Sequence, residues 1–283
     1  VYTVILFIIA TSGVNSLLLP ASPVGLATPF ATSTDAEALF YNPANFNAGE
    51  KYGIWCSYNR FYLSMQSVSL ALSKKIGPVS MGIALLNFDY GDIELRPDYP
   101  HDDSVPYYSA HDFSFILGSS FKLSPEGKIG LNIKYITESI YVYSGYGLAL
   151  DLSFAYSNER SGLSFGASNI GTKITIRNED VNLPTCISLG GFYDLKKIRI
   201  SADAHYLVNT ATLDDTEAYE FSLGAQVPLY QILSVQATLM YRESIYPGFG
   251  FEIKPGAFSI KYAGAFFPKN LGMVNTIGIG FDF

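Results

Sequence analysis

The side chains able to do chemistry are few and far apart. His101, His111 and His205 stand in separate segments, and neither Cys56 nor Cys186 lies at metal-ligand spacing from another cysteine or a histidine. No phosphate-binding glycine loop and no nucleophile elbow occurs, so the sequence predicts neither an enzyme nor a bound cofactor or metal. Asp98, His101, Asp102 and Asp103 gather in one stretch, Glu179 and Asp180 in a second, and Asp214, Asp215 and Glu217 in a third. Carboxylates so grouped could bridge a divalent cation, but a solvated acidic rim is the simpler reading. The two cysteines are expected to be unpaired thiols. A net charge of −7 over 283 residues leaves no clustered basic surface for nucleic acid.

The other ionisable residues follow a pattern. Lys134, Asp151, Arg199, Asp203, Glu220, Arg242, Glu252 and Lys261 sit in segments where large apolar residues alternate with small or polar ones. Side chains on a strand point to opposite faces with period two, so these charges share the small-residue face. The apolar rows carry no charge: Phe113, Phe115 and Leu117; Ile198, Ile200 and Ala202; Tyr219, Phe221 and Leu223; Ile277, Ile279 and Phe281. Lys or Arg at mid-bilayer costs about 2–4 kcal/mol, which is what such a row avoids if it faces lipid. The charged face then lines a lumen, where a balanced set of acids and bases is expected to form ion pairs bracing a barrel.

The elements that would carry these faces are strands. Fourteen segments between Tyr52 and Phe283 read as strand, an even number and mostly near the length of a tilted spanning strand. Their connectors alternate between short and longer, which suits a barrel with turns on one rim and loops on the other. Tyrosine (21), phenylalanine (20) and glycine (25) are abundant, and 48 % of residues are hydrophobic, a composition suited to strands, membrane interfaces and tight turns. The fold class predicted is all-β: a 14-stranded antiparallel transmembrane barrel with a short N-terminal hatch. Residues 1–20 read as a signal peptide, with its apolar core at Val4–Ala10; residues 21–50 as the hatch; and residues 51–283 as the barrel. Within the hatch Thr34 and Glu37 form a capping box, predicting one helix over Asp35–Phe40, the only one in the mature chain. That helix ends before Tyr41-Asn42-Pro43-Ala44, where Pro43 disfavours helical geometry at Asn42.

Two local expectations are sharper. In the third segment Met81, Ile83 and Leu85 set an outward face, and Phe88 and Tyr90 continue it out of step, as either a bulge at Leu86–Asn87 or an irregularity near the loop, where lipid no longer constrains the face, would produce. In the hairpin Lys128–Tyr156, a tip centred between Val142 and Tyr143 places Lys134 directly opposite Asp151 on the lumen wall, and Ile133 opposite Leu152 towards lipid. The chain closes on Phe281-Asp282-Phe283, similar to the C-terminal signal read by barrel-assembly machinery. The apolar belt would meet the lipid bilayer and, in a bacterial cell outer membrane, lipopolysaccharide.

Several motifs in order carry a resemblance. They are Tyr41-Asn42-Pro43-Ala44, Asp89-Tyr90-Gly91-Asp92, Gly130, Lys134, Tyr143, Asp151, Asn169-Ile170-Gly171 and Leu183-Pro184. In these the chain resembles the FadL superfamily of outer-membrane barrels and, within it, the PorV/PorQ family. The resemblance implies a plug formed by the segment from Thr34 to Phe46, including Asp35, Glu37, Tyr41, Asn42 and Pro43. It also implies a secretion-associated role, with exported proteins of the type IX pathway as partners. The alternative it carries is a passive transporter of hydrophobic small molecules, with a lateral opening in the third strand at Leu86, Asn87 and Gly91.

Overall fold

The computed structural model describes residues 15–48, 52–95, 105–208, 217–267 and 272–283. Residues 1–14 of the expected signal peptide lie outside these, as do Asp98, His101, Asp102, Asp103, Asp214 and Asp215 of the acidic stretches.

Sixteen strands follow in order: β1 (Tyr52–Arg60), β2 (Gln66–Ile76), β3 (Val79–Glu94), β4 (Tyr107–Lys122), β5 (Gly127–Ile140), β6 (Tyr143–Ser157), β7 (Ser161–Gly171), β8 (Ile174–Ile176), β9 (Glu179–Val181), β10 (Thr185–Leu195), β11 (Ile198–Val208), β12 (Glu217–Tyr230), β13 (Leu233–Arg242), β14 (Ser244–Ile253), β15 (Phe258–Phe267) and β16 (Gly272–Asp282). All except β8 and β9 form one closed antiparallel barrel, in which β1 pairs with β2 on one side and β16 on the other. Closure leaves no sheet edge at the depth of the membrane, where an unpaired backbone group would cost several kcal/mol. β8 and β9 make a small hairpin inside the β7–β10 loop.

The alternation read from the sequence sets the two faces. β1 alternates strictly between exposed and buried residues, with Ile54 and Tyr58 outside and Trp55, Ser57 and Asn59 inside. The outer face forms an apolar belt through Ile133, Leu150, Leu189, Ile200 and Leu223. Aromatics border it on both sides. Tyr52, Phe121, Tyr156 and Phe281 mark the rim of short turns, and Tyr58, Tyr135, Tyr219 and Tyr241 the rim of longer loops, as expected of interfacial girdles.

Residues 15–48 fill the lumen. Their regular pieces are turns of 3-10 helix at Asn15–Leu18, Pro23–Leu26 and Asp35–Phe40, with one α-helical turn at Pro29–Thr32. The expected single helix is thus one of four short ones. Its capping box does not form: Thr34 makes no capping hydrogen bond, and its hydroxyl donates to Asp35 Oδ2 at 3.2 Å. Glu37 is drawn away instead to a cationic partner on the wall, described below. Leu39, Phe46 and Ala48 pack with the wall residues Trp55, Ala71, Ala84 and Ile116. Complete burial of a side chain such as Leu39 or Phe46 is worth about 1.5–3 kcal/mol.

The expected hairpin register is corrected by two residues. Asp151 lies opposite Asn132, and Lys134 opposite Ala149, because the turn is tightened to Tyr141 and Val142. A shift of two preserves every side-chain direction. Ile133 and Leu150 still face lipid, and Lys134 and Asp151 still share the inner wall, as a diagonal pair 2.8 Å apart.

Candidate functional site: the plugged lumen and its aromatic cluster

The plug is held by polar groups spaced along the inner wall. Thr238 donates to the Leu26 carbonyl (3.0 Å), and Asn132 Nδ2 to the Leu39 carbonyl (2.9 Å). Ser153 Oγ accepts from Ala44 N–H at 2.8 Å. Asp203 takes both Phe30 N–H (2.8 Å) and Ala31 N–H (2.9 Å), satisfying donors that the short helical turn leaves open. Glu37 is buried and pairs with Lys261, whose ammonium also lies 5.1 Å from the centre of the Trp55 ring. It further accepts from Ser22 Oγ.

Inside the plug Asn42 ties two turns together, donating to the Phe30 carbonyl (2.8 Å) while its Oδ1 receives Ala44 N–H (3.1 Å). This bridge over Pro43 sets the bend. The wall yields space for it at Gly130, where a Cβ would fall 2.0 Å from the Pro43 carbonyl carbon. Tyr41 Oη accepts Ala21 N–H and Ser22 N–H, both at 2.9 Å, and burial pushes its phenol pKa up.

The expected bracing pairs are redistributed for the same reason: with the lumen filled, charges pair along the wall or into the plug. Lys134 meets Asp151; Arg242 meets Glu220 at 2.8 Å on the next strand; and Arg199 forms a two-point pair with Asp194 near the short-turn rim. Asp203 and Lys261 hold the plug, and Glu252 stands opposite Lys261 in the β14–β15 ladder. Among the described residues these pairs run along the wall or reach into the plug.

β3 is irregular, but not where the sequence placed it. Pairing with β4 runs without a break past Leu86 and Asn87, and the register shifts between Asp89 and Asp92. Tyr90 and Gly91 together face the single residue Ala110, one residue more than a regular ladder holds. Phe88 is buried towards the lumen and Asn87 faces outward, so the two aromatics do not continue the lipid face. They turn inward because an aromatic cluster awaits them. Gly91 has φ +74, accepts no side chain without strain, and lies against the β1–β2 loop. Its N–H donates to Asp89 Oδ1 at 2.9 Å.

On the long-loop side of the plug, those aromatics belong to one packed cluster of wall and plug residues. Phe61, Phe88, Met240, Val274 and Leu26 are buried together, with Tyr62, Met65, Tyr90, Tyr246 and Phe267 packed around them. Phe61 and Phe88 ring centres are 5.3 Å apart, Phe88 and Tyr90 4.8 Å, and Tyr246 and Phe267 4.7 Å. The sequence signal for this cluster was the out-of-step alternation in β3, whose meaning depended on what lay inside.

A second bulge, in β7, gathers the other motifs. The β6–β7 register shifts between Leu150 and Leu152, and Asn169 takes φ 58. Asp151 Oδ1 receives Asn169 N–H (2.8 Å), Lys134 donates to Asn169 Oδ1 (2.8 Å), and Asn169 Nδ2 reaches the Pro184 carbonyl (3.2 Å). Asn132 Nδ2 completes the group at Asp151 Oδ2, 2.9 Å away. Both cysteines are free thiols, Cys56 exposed and Cys186 buried.

Several solved structures share this fold. The toluene transporter TodX of Pseudomonas putida superposes with a TM-score of 0.68 at 10 % identity, over 94 % of this chain and 99 % of that one. The deltaS2S3 mutant of TodX, a monoaromatic hydrocarbon channel, gives 0.69 over 93 % and 99 % at 10 % identity. A FadL homologue from Pseudomonas aeruginosa gives 0.67 over 94 % and 99 %, again at 10 % identity. No protein-family model matches the sequence, and no curated protein does. The likeness is therefore one of fold: a closed 14-stranded barrel with a short N-terminal helical segment, an architecture of the bacterial outer membrane.

Proposed function

We propose that this chain is a non-enzymatic outer-membrane channel for hydrophobic small molecules. The observation that carries this reading is the aromatic cluster on the long-loop side of the plug, which adjoins the β3 bulge at Tyr90 and Gly91. Apolar and aromatic walls with a few polar groups suit an uncharged organic ligand. The plug fills the straight path, so on this reading a ligand would leave sideways, where the bulge interrupts the regular ladder. The structural neighbours include a toluene transporter and a FadL homologue, which favours this reading over the secretion-associated role that the PorV/PorQ resemblance implies.

Uptake of a monoaromatic hydrocarbon into proteoliposomes tests the reading. The intact protein is expected to accelerate uptake of the hydrocarbon and leave a sugar outside. Deleting Gly91 restores the ladder without shifting either flank, and should abolish the acceleration while the barrel still folds. Hydrocarbon flux equal to that of empty vesicles, or flux untouched by the deletion, would sink the proposal.

A further inference from the structure

The short turns of the barrel carry lysines in pairs. Lys74 and Lys75 lie at the end of β2, Lys122 and Lys128 flank the β4–β5 turn, and Lys196 and Lys197 join β10 to β11. All but the half-buried Lys128 are exposed. Few acids answer them. Asp194 is taken by Arg199, which leaves Glu126 as the one acid on these turns without an ion pair among the described residues. The β6–β7 turn between them is balanced, with Glu159 beside Arg160.

Two placements set these lysines apart from an ordinary solvated rim. Lys122 and Lys128 are direct register partners across the β4–β5 ladder, and like charges so opposed repel. Lys196 takes φ 51, a left-handed conformation that glycine or asparagine adopts at lower cost. Neither position favours lysine for the sake of the turn, and an anion outside the rim would stabilise both.

A second observation selects the anion. Each basic turn also bares a large apolar side chain: Ile76, Leu123 and Leu195 are 53, 56 and 49 % exposed. Lys74 Nζ lies 5.2 Å from the centre of the Tyr52 ring, in the aromatic girdle of the same rim. Lysines alone would suit any anionic partner. Lysines interleaved with bare isoleucine and leucine at girdle level suit a bilayer surface. There the apolar side chain enters the acyl boundary while the ammonium, on its flexible stem, reaches the phosphates. Short turns of outer-membrane barrels face the periplasm, which places the contact in the periplasmic leaflet.

The geometry points to the short-turn rim as a binding surface for anionic phospholipid. Lys74, Lys75, Lys122, Lys196 and Lys197 engage the headgroups, and Ile76, Leu123 and Leu195 anchor the rim beside them. This inference stands independently of which molecule the channel passes.

Electron spin resonance of spin-labelled lipids tests it. The full-length folded protein is reconstituted in phosphatidylcholine vesicles with a trace of spin-labelled phosphatidylglycerol or phosphatidylcholine. The immobilised fraction is expected to favour phosphatidylglycerol by about fivefold or more, which is what one lysine contributes near an anionic surface. Most of that preference should vanish in ~1 M salt, where charges are screened beyond about 3 Å. Lys74→Gln/Lys75→Gln/Lys196→Gln/Lys197→Gln should bring the two lipids close to parity, while Arg60→Gln/Lys173→Gln/Arg177→Gln, on the long-loop rim, should leave the preference intact. Migration on an unheated gel checks that each variant is folded. Equal immobilisation of both lipids by the intact protein would overturn the surface, and polyglutamate binding that the lysine variant lacks would then assign these lysines to an acidic protein. A preference retained by the folded lysine variant would overturn it too, moving the lipid contact elsewhere on the barrel. Hydrocarbon uptake is read in its own assay, so either proposal can fail without the other.

Discussion

Lys134 shows how one residue can anchor several structural commitments. Its ammonium is buried, paired with Asp151 at 2.8 Å, and bonded to the residue that makes the β7 bulge. Removing one member of a buried pair leaves the other charge uncompensated and typically costs about 3–5 kcal/mol. Lys134→Met is accordingly expected to lower the denaturant midpoint of the folded barrel, and the double variant Lys134→Met/Asp151→Leu to recover part of the loss. Urea titration followed by unheated gel migration measures both; a double variant as unstable as the single would show that the pair's worth lies elsewhere. Gly130 makes the complementary point, since its value is the side chain it lacks where Pro43 and Ala44 approach the wall.

At the scale of elements, the plug is a chain of short turns with little helical stability of its own. It is ordered by the wall. Asp203 serves the backbone of Pro29–Thr32, and Thr238, Asn132 and Ser153 serve other turns. Asp203→Ala strips the partner from two buried N–H groups, each worth about 1–3 kcal/mol when left unsatisfied. Faster amide exchange at residues 29–32 is expected, together with brief conducting events in planar bilayers where the intact protein stays closed. Unchanged exchange in the variant would mean that packing alone holds the turn. The two bulges belong to the same scale: each inserts a residue where a strand must leave the regular ladder, one beside the β1–β2 loop and one where the β7–β10 loop begins.

The whole molecule is a belt of apolar side chains around a polar, filled interior, inverted relative to a water-soluble domain. Ile133 sits in the belt and is exposed on the barrel's outer face. Ile133→Arg is expected to cost about 2–4 kcal/mol of folding free energy in lipid if the residue lies near mid-bilayer, while Ile133→Leu should be close to neutral. Folding yield into vesicles, read by heat-modifiable migration, compares them. Equal yields for arginine and leucine would argue that this face does not meet lipid.

Much of this was legible in the residues, because period-two alternation is a local property and a barrel wall has one face of each kind. The strand number, the inner and outer sets and the alternation of connectors all follow from it, whereas the hatch around Asn42 and Pro43 was what the family resemblance implied. The tip of the β5–β6 hairpin was misplaced by two residues, since alternation is blind to a shift that keeps parity. Phe88 and Tyr90 were assigned to lipid because an aromatic reads alike at an interface and in a packed cluster; only the neighbours Phe61, Tyr246 and Phe267, remote in sequence, decide. Glu37 read as half of a capping box and proved to be a partner for Lys261, more than two hundred residues away. The sequence by itself determined which side of the strands faces lipid, except beyond the point where β3 departs from its alternation. The tertiary structure alone decided what occupies the lumen and which motif touches which, because those are long-range contacts that no local periodicity encodes.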